Sequence, residues 1–106
     1  MASLSTHVLD TAGGRPAAGL RITLESADGT VLAEGVTDAD GRVGDLAADL
    51  VAEDHVLRFG TGAWFADRGV PAFYPEVVVT FAVGDDVHYH VPLLLSPFGY
   101  STYRGS

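Results

Sequence analysis

Alternation of apolar and polar residues with a period of two is the main pattern of this chain. In residues 20–25, every second side chain is apolar, so leucine and isoleucine face one way while arginine, threonine and glutamate face the other. Such alternation is typical of a β-strand with one buried face. The pattern predicts strands at residues 4–9, 20–25, 31–37, 43–46, 55–60, 76–83, 87–96 and 100–106.

Short turns and one helical segment complete the pattern. Asp-Gly pairs at residues 28–29 and 40–41 are typical of tight turns between strands. Residues 61–69 are the one segment that favours a helix, with Thr61 as its N-cap and Gly69 just past its end. Seven or eight short strands joined by turns, with one short helix, predict an all-β fold of the β-sandwich type.

The composition is that of one folded domain spanning residues 1–106. Hydrophobic residues make up 47% of the chain and charged residues 19%. A chain of this size buries roughly two-thirds of the surface that it exposes when unfolded. No run approaches the roughly 20 apolar residues that cross a bilayer, and the first ten residues lack the segments of a signal peptide. We therefore expect a cytoplasmic protein.

Charge and residue types exclude several kinds of chemistry. The formal net charge of −8 repels nucleic acid and anionic membranes, so neither is an expected partner. The absence of cysteine excludes disulfides, thiolate catalysis and cysteine-bound zinc. All six basic residues are arginines, which excludes a lysine Schiff base. An anionic substrate would have to be attracted locally, by one or two arginines.

The predicted strand at residues 87–96, "VHYHVPLLLS", carries two histidines on one face. Tyr89 and the alternate residues after it form a core face, whereas His88 and His90 share the other face with Pro92 and Leu94. This second face is less polar than a solvated sheet surface, so we expect it to pack against another subunit. Pro92 cannot donate to a β-ladder, which predicts a missing or irregular neighbour strand there.

The histidines allow more than one interpretation. His88 and His90 could be structural polar groups, and a lone strand histidine such as His7 is usually structural too. A His-x-His pair on one strand also suits zinc, for which His7 could be a third ligand. The acidic residues, however, lie mostly in turns, and no His-Glu motif supports a metal site. No metal is therefore predicted.

Arg42 is the first side chain after the turn in "TDADGR". This segment resembles part of a calcium loop, but with Gly41 at the sixth position of that loop, valine and alanine occupy its first and twelfth positions. The calcium interpretation therefore fails. An arginine beside a turn is commonly solvated, and residue types alone leave open whether Arg42 joins the histidines in a site.

These segments together resemble the transthyretin-like family, and within it the branch of 5-hydroxyisourate hydrolases. The resemblance runs from "LSTHVLDTAGGRPAAGLRITLE" through "TDADGR" and "FYPEVVVTF" to "HYHVPLLLSPFGYSTYRGS". The ending Tyr-Arg-Gly-Ser is the most specific part, because hormone-carrying transthyretins lack it. The resemblance implies a transthyretin-like sandwich of two sheets, with about eight strands and one short helix.

The resemblance also implies roles for particular residues. It assigns catalysis to His7, Arg42, His90 and Ser106, and it leaves open whether His7 or His90 is the general base. Substrate binding falls on His7, Arg42, Tyr103 and Arg104. No metal or organic cofactor is implied.

The implied reaction is the hydrolysis of 5-hydroxyisourate in urate degradation. The implied assembly is a homotetramer, a dimer of dimers in which each site is shared between subunits. The tail would then line a cleft at a subunit interface, and we expect the chain to stop at Ser106 because further residues would fill that cleft. The alternative is a binding module that carries a small aromatic ligand in the channel between dimers.

Overall fold

The computed structural model of the protein describes residues 2–106, which form nine β-strands and one α-helix. The elements are β1 (Ala2–Asp10), β2 (Arg15–Pro16), β3 (Arg21–Ser26), β4 (Val31–Val36), β5 (Arg42–Leu50), β6 (Asp54–Phe59), α1 (Thr61–Ala66), β7 (Val77–Ala82), β8 (His88–Ser96) and β9 (Gly99–Thr102). All eight predicted strands are present, and the fold is the predicted all-β sandwich. Within residues 2–106, no helix is long and apolar enough to cross a membrane.

The strands of residues 2–106 lie in two sheets. The first has the order β2-β1-β8-β9, with β5 also paired to β1, and the second has the order β4-β3-β6-β7. Strands β1 and β8 are parallel, and β1 is antiparallel to β5. Strand β1 therefore lies between β8 and β5, and it brings together residues that are distant in the sequence.

The hydrophobic core lies between the two sheets. Leu20, Ile22 and Leu24 are fully buried from one side, as the alternation predicts, and Tyr89 and Leu93 are buried from the other. Burying a leucine or isoleucine side chain stabilises the fold by roughly 1.5–3 kcal/mol. Because alternate side chains of β8 point into this core, the remaining side chains of β8 must face outward.

The helix begins differently from the prediction, which made Thr61 its N-cap. Gly60 holds the N-cap position, with no side-chain capping hydrogen bond, and its carbonyl accepts the N–H of Trp64 at 3.2 Å. Thr61 is the first helical residue and is buried, so its side chain packs inward instead of turning back to cap the helix. Gly69 follows the helix with φ +68°, as predicted for a residue past its end.

Three strands were not fully predicted. The two residues of β2 lie outside every predicted strand. Strand β5 runs for nine residues, although the prediction covered only residues 43–46. Strand β7 is almost entirely apolar in sequence, but it has one exposed face, on which Val78 is 41% exposed. In the single chain, β7 is an edge of its sheet.

The last strand is interrupted beside Pro92, as expected for a residue without an N–H. Strand β9 ends at Thr102, whose hydroxyl donates to the Pro92 carbonyl at 2.7 Å. Residues 103–104 leave the ladder, and pairing resumes in a bridge between Gly105 and His90. The tail therefore does not continue as the regular strand predicted over residues 100–106, but it returns to β8 at one histidine.

Candidate active site

The outward-facing side chains of β1 and β8 lie side by side. Because the two strands are parallel, Ser3 pairs with His88 and Ser5 pairs with His90. Hydroxyls and imidazoles therefore meet on the sheet surface that faces away from the core.

Hydrogen bonds join these four side chains into one row. The Oγ of Ser3 lies 2.5 Å from Nδ1 of His88. The Oγ of Ser5 lies 3.0 Å from Nε2 of His88 and 2.7 Å from Nδ1 of His90. Strand β1 thus fixes the ring orientation of both histidines on β8.

His90 opens onto a surface depression of about 300 Å³. The depression is lined by Ser5, Thr6, Arg42, Gly44, His88, His90 and Ser106. Three of the four residues predicted to be catalytic are in this lining, although they come from β5, β8 and the tail. The arrangement offers a base, a permanent cation and hydroxyl groups around one space.

The surroundings of His90 favour its neutral form. Burial lowers the pKa of His90 below its ordinary value of 6.5, and the charges of Arg42, His7 and His88 lower it further, while a hydrogen bond with the Ser5 backbone opposes the shift. At neutral pH this imidazole is therefore free to accept a proton.

Arg42 reaches the depression from a tight turn that begins β5. The Oδ1 of Asp38 accepts the backbone N–H groups of Asp40 at 2.9 Å and Arg42 at 3.0 Å. The hydrogen bond from Arg42 is the main reason that the pKa of Asp38 is lowered. Gly41 has φ +77°, and a Cβ there would collide with the Val8 carbonyl oxygen, so glycine is required. The turn thereby fixes where the guanidinium leaves the sheet.

His7 lies beside the depression without being part of its lining. It pairs with Arg42 across β1 and β5, and its Nε2 donates to the Asp40 carbonyl at 2.9 Å. That nitrogen therefore carries the proton, and Nδ1 remains for other contacts. Among residues 2–106, no three histidine, aspartate or glutamate side chains are arranged to hold a metal ion.

The end of the tail contacts His90 directly. The N–H of Gly105 donates to the His90 carbonyl at 2.8 Å, and Ser106 lines the depression. A Cβ at position 105 would collide with Cδ2 of the His90 ring. The imidazole is thus held between Ser5 at its Nδ1 edge and Gly105 at its Cδ2 edge.

Tyr103 and Arg104 point to a different place from the other predicted site residues. They line a second depression, of about 220 Å³, between the edge strands β7 and β9. The guanidinium of Arg104 lies 3.0 Å from a carboxylate oxygen of Asp86 and 4.5 Å from the ring centre of Tyr89. Within one chain, neither residue is part of the lining around His90.

Sequence reasoning missed Ser5 and Gly105 as parts of the site. Alternation puts Ser5 on the same strand face as His7, but its contact with His90 depends on the parallel pairing of β1 and β8. Those strands are more than 80 residues apart, and a local pattern carries no information about their register. The close approach of Gly105 to a ring is likewise visible only in three dimensions.

Comparison with known proteins gives a consistent family. The model of the HIUase/Transthyretin family matches residues 4–105. A 5-hydroxyisourate hydrolase from Mesorhizobium japonicum is 49% identical, over 97% of this chain and 91% of its own length.

Two solved structures share the fold. The structure of Klebsiella pneumoniae 5-hydroxyisourate hydrolase superposes with a TM-score of 0.93 at 42% identity, covering 99% of this chain and 100% of that one. Sea bream transthyretin in complex with thyroxine superposes with a TM-score of 0.89 at 32% identity, covering 97% of this chain and 94% of that one. The fold alone therefore does not separate a hydrolase from a carrier, and the site residues have to decide.

Proposed function

The chain belongs to the HIUase/Transthyretin family, and on this premise we propose that it hydrolyses 5-hydroxyisourate to 2-oxo-4-hydroxy-4-carboxy-5-ureidoimidazoline. Residues 1–106 act as a single hydrolase domain. The observation that supports this best is the common lining of one depression by His90, Arg42 and Ser106. Binding of an aromatic ligand by a carrier does not require a neutral imidazole and an arginine that line the same space.

The proposed reaction opens a cyclic amide with water. His90 takes a proton from water as the water oxygen forms a bond to the ring carbonyl carbon. Negative charge then builds on the carbonyl oxygen, where the planar donors of Arg42 stabilise it. The carbon–nitrogen bond breaks, and the proton held by His90 passes to the leaving nitrogen. His7 orients the water or the Arg42 side chain beside it, and Ser106 donates a hydrogen bond to the substrate.

The decisive experiment follows the decay of freshly generated 5-hydroxyisourate by its absorbance, with and without the protein. We expect decay that accelerates in proportion to protein concentration and that persists after treatment with EDTA. The carrier interpretation expects saturable binding without faster decay. Turnover that EDTA abolishes and zinc restores would contradict this metal-free mechanism.

Replacing Arg42 by alanine should lower kcat by about 10²-fold to 10³-fold, the usual cost of losing one donor to a developing oxyanion. The side chain is exposed and forms no ion pair within residues 2–106, so the fold should be retained. Arg42→Lys keeps the charge but loses the planar pair of donors, and we expect intermediate activity. Wild-type kcat in a folded Arg42→Ala protein would remove Arg42 from the mechanism.

Two surfaces support an assembly of two dimers. Edge strands β7 and β9 border the same apolar depression, so a second chain can extend both sheets there. The outer face of β1 and β8 carries Leu94 on the same face as His90 and needs cover from a further dimer. In this tetramer each site is shared between subunits, and Tyr103, which is 57% exposed, contacts the substrate.

We expect light scattering to give the mass of four chains. Leu94→Asp should split the tetramer into dimers and lower turnover, because a buried carboxylate on the covered face has no partner. Thr23→Asp, on the outer face of the second sheet, is the matched control and should leave mass and turnover unchanged. A fully active wild-type monomer would contradict both the assembly and the shared site.

A further inference from the structure

The row of side chains beside His90 begins at a group that can only accept hydrogen bonds. The hydroxyl of Ser3 lies 3.4 Å from the backbone carbonyl of Val87, which can only accept, and we assign the single hydrogen of the hydroxyl to that carbonyl. The contact between Ser3 Oγ and His88 Nδ1, at 2.5 Å, therefore runs the other way, with Nδ1–H as the donor.

The same reasoning fixes each later bond in the row. Neutral His88 with a proton on Nδ1 has a bare Nε2, which accepts the hydroxyl hydrogen of Ser5 at 3.0 Å. The Ser5 oxygen is then an acceptor toward His90, whose Nδ1 lies 2.7 Å away. Nδ1 of His90 must therefore carry the proton, and Nε2 of the neutral ring has a free lone pair.

We infer that the row from the Val87 carbonyl through Ser3, His88 and Ser5 selects the Nδ1–H tautomer of His90, so that Nε2 is the atom that takes the proton from water. Ser5 and His88 are positioning residues, because they act through His90 without touching the reacting atoms. The inference rests on the proposed function for its catalytic meaning, although the tautomer itself does not depend on any activity.

The position of His90 makes this selection useful. Its Cδ2 edge faces Gly105 and its Nδ1 edge faces Ser5, so Nε2 at the tip of the ring is the nitrogen left for a ligand in the depression. When Nε2 accepts a proton, Nδ1–H keeps its bond to Ser5 and no other bond in the row has to reverse. The proton stays at Nε2, from which the leaving nitrogen can recover it.

The tautomer can be measured directly in ¹⁵N-labelled protein. Long-range ¹H–¹⁵N spectra at a pH where His90 is neutral should show a protonated Nδ1 and an unprotonated Nε2. In Ser5→Ala we expect a shift toward the Nε2–H tautomer, whereas Ser5→Thr should keep the wild-type pattern. His88→Phe, which removes both ring nitrogens, should shift the tautomer in the same direction as Ser5→Ala.

Kinetics should follow the tautomer. Ser5→Ala should lower kcat by about tenfold with little change in KM. Losing one hydrogen bond typically changes an equilibrium between two forms, here the two tautomers of His90, by about that factor. Ser5→Thr should restore the rate. In a His90→Asn background, Ser5→Ala should not lower kcat any further, because the group through which Ser5 acts is gone. Ser26→Ala, on the other sheet, is the matched control, because it also removes a serine hydroxyl, and it should leave kcat and KM unchanged.

Two results would overturn the inference. One is a wild-type His90 protonated on Nε2, and the other is a Ser5→Ala protein with an unchanged tautomer. A full tenfold loss of kcat from Ser5→Ala in the His90→Asn background would also contradict the inference, because it would show that Ser5 does not act through His90. A wild-type protein that fails to hydrolyse 5-hydroxyisourate would defeat the proposed function but leave the tautomer result standing.

Discussion

Replacing His90 by asparagine should lower kcat/KM by about 10²-fold to 10⁴-fold, the range typical of a lost general base. The asparagine amide reaches the position of Nδ1 and can keep the contact with Ser5, but nothing replaces Nε2. His90 lies outside the core, on the outward face of β8, so the variant should fold and assemble as the wild type does. The loss would then report the base and not the scaffold.

The pH profile of the wild-type enzyme is a second measurement of the same role. A base must be unprotonated, so kcat/KM should be constant at neutral pH and fall on the acid side. Burial and the neighbouring cations lower the pKa of His90, so this fall should begin below the 6.5 of an ordinary histidine. An acid limb centred above 6.5 would point to a different group.

His7→Asn provides the comparison that assigns the base. The Nε2–H of His7 donates a hydrogen bond to the Asp40 carbonyl, whereas His90 lines the depression. We therefore expect a smaller loss in His7→Asn, with the acid limb of the pH profile retained. If His7→Asn removes the acid limb and His90→Asn keeps it, the two histidines have exchanged roles.

The parts of the fold that local patterns control were predictable from the sequence. Residues 20–25 alternate cleanly, and the buried face of β3 is the predicted one. Asp28-Gly29 and Asp40-Gly41 form turns, since Gly29 and Gly41 both adopt the positive φ that such turns require. These features depend on neighbours within a few residues.

The features that sequence reasoning missed depend on distant contacts. Thr61 has the chemistry of an N-cap, but its place against the core decides its orientation, and Gly60 holds the N-cap position instead. Ser5 meets His90 only because β1 and β8 are parallel and in register. The resemblance to the family supplied His7, Arg42 and His90, whereas no pattern in the chain by itself would have joined them.

Arg104 illustrates a role that only the structure suggests. The resemblance implies contact with the substrate, but its guanidinium is engaged by Asp86 and the Tyr89 ring. We propose that Arg104 anchors the tail, so that Gly105 and Ser106 reach His90. Asp86→Asn separates the two roles, because it should impair turnover if Arg104 is an anchor and spare it if Arg104 binds the substrate.

Deleting residues 103–106 should reduce turnover by about 10²-fold or more while leaving the fold and assembly largely intact. The deletion removes the Gly105 hydrogen bond to β8 and an exposed ion pair, and such groups contribute little to the free energy of unfolding. It spares every residue of the core. The effect should therefore fall on the site.

The reason is that the tail forms one wall of the site. Without Gly105, the Cδ2 edge of His90 loses its neighbour and the ring can turn away from the substrate. Without Ser106, the depression loses part of its lining and admits bulk water around the reacting carbonyl. Gly105→Ala tests the first effect alone, since its Cβ would displace the ring with the tail still present.

The carrier interpretation expects ligand binding to be kept or improved when the tail is removed, because the channel opens. Full turnover by a folded protein lacking residues 103–106 would show that the tail has no part in the reaction.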